Sequence, residues 1–336
     1  MKRLKTSDFN YHLPTELIAQ KPANPRDRAR LMVVNKKSDK IDHEYFYQII
    51  DRLNSGDVLV LNDSKVIPAR LIGKKETGGK MEIFLLKKDK TKSNWEVLIK
   101  GKIKIGQKIF FKAGIESEVL SQNEKTWLVK FNISDKKLLS IGQTPLPPYI
   151  KANSKLSDYQ TVYAKHSGSV AAPTAGLHFT PQLLKKIKQK GVRIEYVTLH
   201  VGLGTFLPVK TKYIQEHKMH SELAIISPQT AKSINLAKKN GHKIIACGTT
   251  AVRTLEAMSD NKGNLKSGQR WLDIFIYPGY KFNLVDGIIT NFHLPQSTLL
   301  MLVSAFAGSA KIKKAYARAI KNKYHFYSFG DAMLLT

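Results

Sequence analysis

The chain has 336 residues, and its 55 Lys and Arg residues against 26 Asp and Glu residues give a formal net charge of +29. This length can bury a substantial core in one large domain or two ordinary ones, so a stable enzyme is possible. The charge favours a polyanionic partner such as nucleic acid, because it attracts polyanions over long range and releases counterions on binding. A general bias toward lysine along the whole chain would produce the same charge without such a partner.

Cysteine usage and hydropathy exclude several classes of protein. Cys247 is the one cysteine, which excludes an intramolecular disulfide and zinc sites built from four thiolates. The segment 1–14 lacks an apolar signal core, and the longest apolar stretch, around residues 299–307, is too short to span a bilayer. We therefore expect a cytoplasmic protein without membrane association, and we expect it to be a monomer.

The first predicted elements are a helix and a buried strand. Phe46, Ile49 and Leu53 recur at helical spacing within residues 44–53. After Gly56, the continuous apolar run of residues 58–61 indicates a strand that is covered on both faces.

A β-rich segment follows, between residues 62 and 149. Turn signals such as Gly78-Gly79 and Gly106 separate short strand-like runs, namely 81–86, 95–99, 108–112 and 126–131. No convincing helical pattern interrupts these runs. The spacing predicts a small antiparallel barrel or sandwich, closed by the stiff segment 144–148.

After residue 160, helical and strand periodicities alternate. Helices are predicted after Pro181, over 231–239 and over 312–320, and strands over 192–196, 243–247 and 271–277. The fold class is therefore α/β, with a layered catalytic domain around a mostly parallel sheet and an inserted small antiparallel β-barrel domain. The predicted division assigns 1–61 and 150–336 to the α/β domain and 62–149 to the barrel.

Four segments carry the residues most suited to ligand binding. Residues 168–180 form a loop of small residues with one imidazole, and Thr180-Pro181 is typical of a helix N-cap and first helical position. Residues 198–206, 248–256 and 290–300 each follow a predicted strand or begin a helix. Ligands collect beyond the carboxyl ends of strands in an open parallel sheet, so we expect these segments to form one binding site.

Together with Asp8-Phe-Asn-Tyr-His-Leu-Pro14, Leu61-Asn-Asp-Ser-Lys-Val-Ile-Pro-Ala-Arg-Leu71 and Ser328-Phe-Gly-Asp-Ala-Met333, these segments resemble the S-adenosylmethionine:tRNA ribosyltransferase-isomerases of the queuosine pathway. The resemblance runs nearly end to end. It implies transfer and isomerisation of the ribosyl part of S-adenosylmethionine, the co-substrate, onto 7-aminomethyl-7-deazaguanine in the anticodon loop of a tRNA. Epoxyqueuosine, adenine and methionine are the implied products, and no metal is implied. Two departures are minor: Ser64 stands where threonine is expected, and Cys247 where an aliphatic residue is usual.

The resemblance and the residue types together suggest roles for individual side chains. Arg253 and Glu256 lie three apart on one predicted helix, so they can pair with each other or grip the methionine end of the co-substrate. The reaction needs at least two tuned acid-base groups. The candidates for that role are His178, His200, Asp286 and His293, and the residues expected to bind substrate are Thr174, Gly176, Thr205, Gly248, Thr249, Thr250, Arg253 and Glu256.

For the RNA, the candidates are Arg26, Arg30, Lys65 and Arg70, which could instead form salt bridges with Asp27 and Asp63 at the domain junction. Four alternatives to these assignments remain open. The histidines could be structural, and His200, His217 and His220 with Glu216 and Glu222 could bind a metal. The protein could also be a non-catalytic RNA-binding protein, or another S-adenosylmethionine enzyme such as a methyltransferase.

Overall fold

A computed structural model describes residues 3–89, 94–123, 126–152, 155–202 and 209–336. The strands are β1 (Arg30–Val34), β2 (Ile41–Tyr45), β3 (Val58–Asn62), β4 (Ser64–Val66), β5 (Arg70–Lys75), β6 (Lys80–Lys88), β7 (Asn94–Lys100), β8 (Lys108–Phe110), β9 (Glu116–Asn123), β10 (Thr126–Phe131), β11 (His166–Ser169), β12 (Arg193–Leu199), β13 (Glu222–Ile226), β14 (Ile244–Cys247), β15 (Gly268–Leu272), β16 (Gly287–Asn291) and β17 (Ala332–Leu335). The α-helices are α1 (Asp135–Ser140), α2 (Pro181–Gln189), α3 (Pro228–Lys239), α4 (Thr249–Met258), α5 (Thr298–Ala307) and α6 (Ser309–Lys321).

Within the described residues, the main sheet has nine strands in the order β15-β13-β12-β3-β14-β16-β17-β1-β2. Its four central strands, β12, β3, β14 and β16, are parallel. Antiparallel pairs flank them, since β13 pairs antiparallel with β12 and β17 with β16. The β1 strand also pairs parallel with β17, whereas β2 and β15 pair antiparallel with their neighbours. The predicted α/β fold class is confirmed, with a sheet that is mixed rather than mostly parallel.

The strand over residues 58–61 lies inside this sheet, as the sequence predicts. Val58 pairs with Ile244 of β14 and Leu59 with Ile194 of β12. Successive side chains of β3 enter opposite hydrophobic clusters, because side chains alternate between the faces of a strand. One cluster packs under α3, α4, α5 and α6, and the other packs under α2 and the 3-10 helix Phe46–Arg52. The layered arrangement explains the continuous apolar run, because both faces of β3 are covered.

A closed barrel of six antiparallel strands, β10-β7-β6-β5-β8-β9, forms within residues 70–131. Each strand sends at least one fully buried aliphatic side chain into the interior, among them Leu71, Ile83, Val97, Ile109, Val119 and Val129. Short α1 follows the last barrel strand, where the sequence predicts no helix. The barrel agrees with the predicted β-rich module, and the division into 1–61 with 150–336 and 62–149 stays a prediction.

Local signals explain the ends of several helices. Thr180 caps α2 by accepting a hydrogen bond from the backbone N–H of Leu183 at 3.2 Å, and Pro181 is the first helical residue. Ser297 caps α5 in the same way through the N–H of Leu300. The strand expected over 271–277 is wrong in its extent, because β15 spans Gly268–Leu272 and the following apolar residues pack as a loop.

Candidate functional site

The four parallel strands end at the same edge of the main sheet, which we call the carboxyl edge. Their last residues are Leu199, Asn62, Cys247 and Asn291. A cleft opens at this edge and is lined by residues 172–175, 248–250, 290–294 and 327–328, with Tyr149, Val201, Ser297 and Leu299. Segments that are distant in the sequence thus meet where open α/β sheets bind ligands.

The N-terminus of α4 borders this cleft. The helix begins at Thr249 after Gly248, whose positive φ of 87° is a conformation that glycine adopts readily. No side chain caps this helix in the described part of the chain. Thr250 Oγ1 is buried and has no hydrogen-bond partner there. The first-turn amides and this hydroxyl are therefore suited to a carboxylate or another polar ligand group.

His293 lies in the wall of the cleft and is anchored on several sides. Its Nε2 is 2.8 Å from the hydroxyl of Thr290, and its backbone N–H donates to the Tyr316 hydroxyl at 2.9 Å. The Tyr11 hydroxyl donates to its carbonyl oxygen. Burial lowers the pKa of His293 to about 3, so the imidazole is neutral at physiological pH.

His178 lies behind the cleft within a buried polar chain. The Thr174 hydroxyl donates to Asn291 Oδ1 at 2.9 Å, so the Asn291 amide nitrogen faces His178 Nε2 at 3.2 Å. Its ring packs on Phe46, with centroids 4.9 Å apart. Burial lowers the pKa of His178 to about 4, so it accepts this hydrogen bond as a neutral group. These hydrogen bonds connect Thr174, which lines the cleft, to His178 and to Phe46 beneath it.

His200 is half-buried at the end of β12, in a second group of acid-base residues. Its backbone N–H donates to the carbonyl of Leu223, and its Nδ1 is buried without a partner in the described part of the chain. Burial is the largest cause of its lowered pKa, and the nearby His166 also lowers it. Asp63 accepts a hydrogen bond from Thr198 at 2.6 Å and lies 3.5 Å from His166 Nε2. Of the three predicted histidines, His200 is the one with a buried ring nitrogen left unused.

Arg253 and Glu256 do not pair with each other. Arg253 Nη1 forms a buried ion pair with Glu222, and its Nε donates to the carbonyl of Ile274 at 3.3 Å. Its Nη2 is buried and unpartnered among the described residues. The Glu256 carboxylate instead accepts the backbone N–H groups of residues 283–285 and the Tyr280 hydroxyl. Glu256 therefore holds a loop, whereas Arg253 keeps donor capacity for a ligand.

Asp286 is not brought together with the histidines. It precedes β16 at the amino edge of the sheet, where its carboxylate accepts the N–H of Ile244 at 2.9 Å and the residue is exposed. Gly176 packs against Tyr163, and an added Cβ would lie 1.9 Å from the tyrosine hydroxyl. The structure therefore places Asp286 away from the three histidines, and it places Gly176 outside the lining of the cleft. Thr205 lies outside the described residues.

The predicted RNA-binding residues differ in how far their charges are already engaged. Arg26 donates to the carbonyls of Gln160 and Ser157, both at 2.6 Å, and Arg30 pairs with Asp331. Arg70 pairs with Glu82 of the barrel rather than with Asp63. Lys65 is exposed on β4, and among the described residues it makes no ion pair. The structure thus leaves Lys65 as the candidate with a fully available charge.

Sequence reasoning missed His166 as a site residue and treated Asp63 only as a salt-bridge partner. His166 directly precedes the loop of small residues, and β11 pairs with β4, which begins just after Asp63. A histidine bordering a ligand loop was a usable signal, but its proximity to Asp63 depends on strand pairing that the sequence does not reveal. Among described residues, no three His, Cys, Asp or Glu side chains are grouped to hold a metal. The described helices include none with both the length and the hydropathy to cross a bilayer.

Comparisons with known proteins agree along the whole chain. A family model described as "Queuosine biosynthesis protein" matches residues 6–335. An S-adenosylmethionine:tRNA ribosyltransferase-isomerase of Thermoanaerobacter sp. (strain X514) is 52% identical over 341 residues, which cover 99% of this chain and 100% of the relative. The enzyme of the same name from Clostridium kluyveri is 51% identical over 341 residues, with the same coverage. The crystal structure of S-adenosylmethionine tRNA ribosyltransferase from Thermotoga maritima is 38% identical, with a TM-score of 0.57 over 98% of this chain and 100% of that one.

Proposed function

This chain belongs to the queuosine biosynthesis protein family, and from that membership we propose that it transfers and isomerises the ribosyl part of S-adenosylmethionine onto 7-aminomethyl-7-deazaguanine at the wobble position of a tRNA. The proposed products are epoxyqueuosine in the tRNA, adenine and methionine. The family match confirms the resemblance drawn from the sequence motifs and identifies the chain as an enzyme. A tRNA substrate fits the expected cytoplasmic location.

One observation carries the proposal: motifs shared with the family, although far apart in the sequence, line one cleft at the carboxyl edge. Thr174, the 248–250 turn and the 290–294 segment all line it. Buried polar side chains are costly unless they are satisfied, so a concentration of them beside a cleft is typical of a functional site.

The amino-acid end of S-adenosylmethionine offers one carboxylate and one ammonium. The first-turn amides of α4 and the Thr250 hydroxyl fit the carboxylate, and Nη2 of Arg253 supplies a further cationic donor. Neither the hydroxyl nor Nη2 has a hydrogen-bond partner among the described residues. That Glu256 grips the co-substrate directly stays a prediction from the sequence. Its four accepted hydrogen bonds favour instead an indirect contribution through the loop at 283–285.

The reaction also sets demands on protonation. A proton must leave the carbon beside the sulfonium, the departing adenine needs a donor, and the attacking amine must be neutral. His178 and His293 are neutral, because burial lowers their pKa values to about 4 and about 3, so neither adds positive charge near a sulfonium. We assign them to hydrogen bonding. His200, whose Nδ1 has no partner in the part of the chain that the structure describes, is the preferred general base.

Lys65 is the preferred phosphate contact among the basic candidates, because Arg26, Arg30 and Arg70 are engaged within the protein. The change Lys65→Gln should weaken tRNA binding and reduce the magnitude of the salt slope by about one unit. Lys185 is an exposed residue of α2, and Lys185→Gln removes the same charge, so this variant is the matched control. Equal losses in the two variants would mean that the positive charge acts diffusely.

Product identification tests the proposal against its two rivals. The enzyme is incubated with S-adenosylmethionine and tRNA that carries the deazaguanine precursor, and the small molecules released are separated and identified. Adenine and methionine are expected. Release of S-adenosylhomocysteine would indicate a methyltransferase instead, and tRNA binding without any released product would indicate a non-catalytic RNA-binding protein.

A further inference from the structure

Trp271 is an exposed indole that none of the assignments above uses. It lies on β15, the outermost strand of the sheet, with 47% of its surface exposed. Trp271 lies opposite Leu223 of β13, and the carbonyl of Leu223 accepts the backbone N–H of His200 at 3.0 Å. The indole is therefore level with the carboxyl edge, and β13 alone lies between its strand and the preferred general base.

A groove runs between this strand and the barrel. Trp271 and Gln269 line it from the sheet, and Lys87, Glu96 and Leu128 line it from the barrel. The Lys87 ammonium lies 4.3 Å from the centroid of the indole ring, so the two side chains form a cation–π contact. Trp271 also borders a neighbouring groove that contains Arg270 and Lys281.

The chemistry of this groove fits a nucleobase better than a phosphate alone. An exposed aromatic face stacks on any base, and unpaired bases in RNA loops are held in this way. The Gln269 amide can donate to and accept from a base edge, and the Glu96 carboxylate can accept from an amino group. Lys87 lines the same groove and supplies a cation for an adjoining phosphate. The high net positive charge of the chain favours the same partner.

We propose that Trp271 is a stacking platform for one unpaired nucleotide of the RNA substrate, held between β15 and the barrel while a neighbouring base enters the cleft. This inference rests on the proposed function, because it takes the anticodon loop of a tRNA as the occupant. Lys87 leaves the ring when the base arrives and contacts the phosphate backbone. The platform explains why an edge strand exposes a large indole next to the site rather than burying it.

The first test measures binding of an anticodon stem-loop RNA to the full-length chain. Trp271→Ala should weaken binding roughly 5- to 100-fold, as expected for loss of one base stack, whereas Trp271→Phe should retain most of the affinity. Tyr45→Ala is the matched control, because Tyr45 is also 47% exposed and lies on β2 at the opposite end of the sheet. S-adenosylmethionine binding and the thermal midpoint should stay unchanged in all three variants. A lowered midpoint with unchanged RNA affinity would show that the indole only holds the barrel against the sheet, and would overturn the proposal.

A second measurement identifies the stacked nucleotide. Abasic nucleotides are introduced one at a time around the loop, and each RNA is tested with the parent protein and with Trp271→Ala. At one loop position the two changes should be non-additive, because the stack is already lost. Additive losses at every position would overturn the platform. If the unaltered protein does not bind the stem-loop at all, the proposed function itself fails, which distinguishes the two failures.

Discussion

The β-barrel and the carboxyl edge of the main sheet bury different kinds of side chain. Each barrel strand contributes an aliphatic residue to a shared interior, and few polar groups are buried with them. The carboxyl edge buries ionisable and amide side chains, among them Asp63, His178, Arg253, Asn291 and His293. Burying polar groups is costly, so their concentration at the carboxyl edge is typical of a functional site, whereas the apolar interior of the barrel is typical of a stabilising core.

The largest expected contrast between these regions is in the free energy of unfolding that is lost when an ion pair is broken. Arg253 and Glu222 have side chains that are only 5% and 4% exposed, whereas Arg70 and Glu82 on the barrel are 38% and 14% exposed. Arg253→Met leaves a buried carboxylate without its counterion and should lower the free energy of unfolding by about 3 to 5 kcal/mol. Arg70→Met should cost about 1 kcal/mol or less, because water screens an exposed pair. Denaturant unfolding of both variants provides the measurement.

The double variant Arg253→Met with Glu222→Gln is the control for the buried pair. The amide keeps an acceptor for the N–H of Gly202, which donates to Glu222 at 3.0 Å, and it removes the uncompensated charge. The double variant should therefore be more stable than Arg253→Met alone. Similar losses for Arg253→Met and Arg70→Met would remove the energetic distinction between edge and barrel.

A second contrast appears at acidic pH. Burial lowers the folded-state pKa of His178 to about 4, while the unfolded chain has the ordinary value near 6.5. Between these values the unfolded state binds more protons, so stability is intact above about pH 6.5 and is lost as the pH falls toward 4. The contribution of His178 to this loss should be about 3 kcal/mol.

Urea unfolding between pH 7 and pH 4 measures this effect in the parent chain and in His178→Gln. The variant should show a shallower loss, because the glutamine side chain does not titrate. The barrel is the same in both proteins and segment 62–149 contains no histidine, so its carboxylates affect both curves equally and cancel in the difference. Parallel curves for the two proteins would show that folding does not lower the pKa of His178.

The third contrast compares two glycines. A Cβ at Gly176 would lie 1.9 Å from the Tyr163 hydroxyl, whereas at Gly79 of the barrel turn the nearest atom is 3.7 Å away, on a lysine side chain. Gly176→Ala should therefore lower the free energy of unfolding by about 1 to 3 kcal/mol, and Gly79→Ala should change it little. Thermal unfolding measures both, and equal midpoints would show that the loop near the cleft accommodates a larger side chain as easily as the barrel does.

Local sequence signals predicted the elements that have strong local causes. Thr180-Pro181 predicted the start of α2, and the run 58–61 predicted β3, because capping and continuous hydrophobicity act over a few residues. The barrel strands β5 and β9 were not predicted individually. Their sequences are rich in charged and polar residues, and only the closed barrel makes alternate positions buried.

The positions of site residues depended more on long-range topology. Arg253 and Glu256 are neighbours on a helix, yet their partners are Glu222 and the backbone of residues 283–285, which the helix spacing cannot indicate. Asp286 precedes β16 rather than following it, so strand direction puts it at the amino edge. The sequence identified the segments that meet at the cleft, whereas the individual partners required the strand order.

The most direct test of the central claim is the rate of adenine release by His200→Gln. If the carboxyl edge performs the chemistry and His200 is its base, kcat should fall about 10²- to 10⁴-fold with little change in KM for S-adenosylmethionine. Lys100→Gln on the exposed barrel surface should retain the full rate. Because the pKa of His200 is lowered by burial, the parent enzyme should keep its activity to below pH 6.5 and then lose it as the base becomes protonated. Unchanged kcat in His200→Gln, with the same acid limb in its pH profile, would contradict the account.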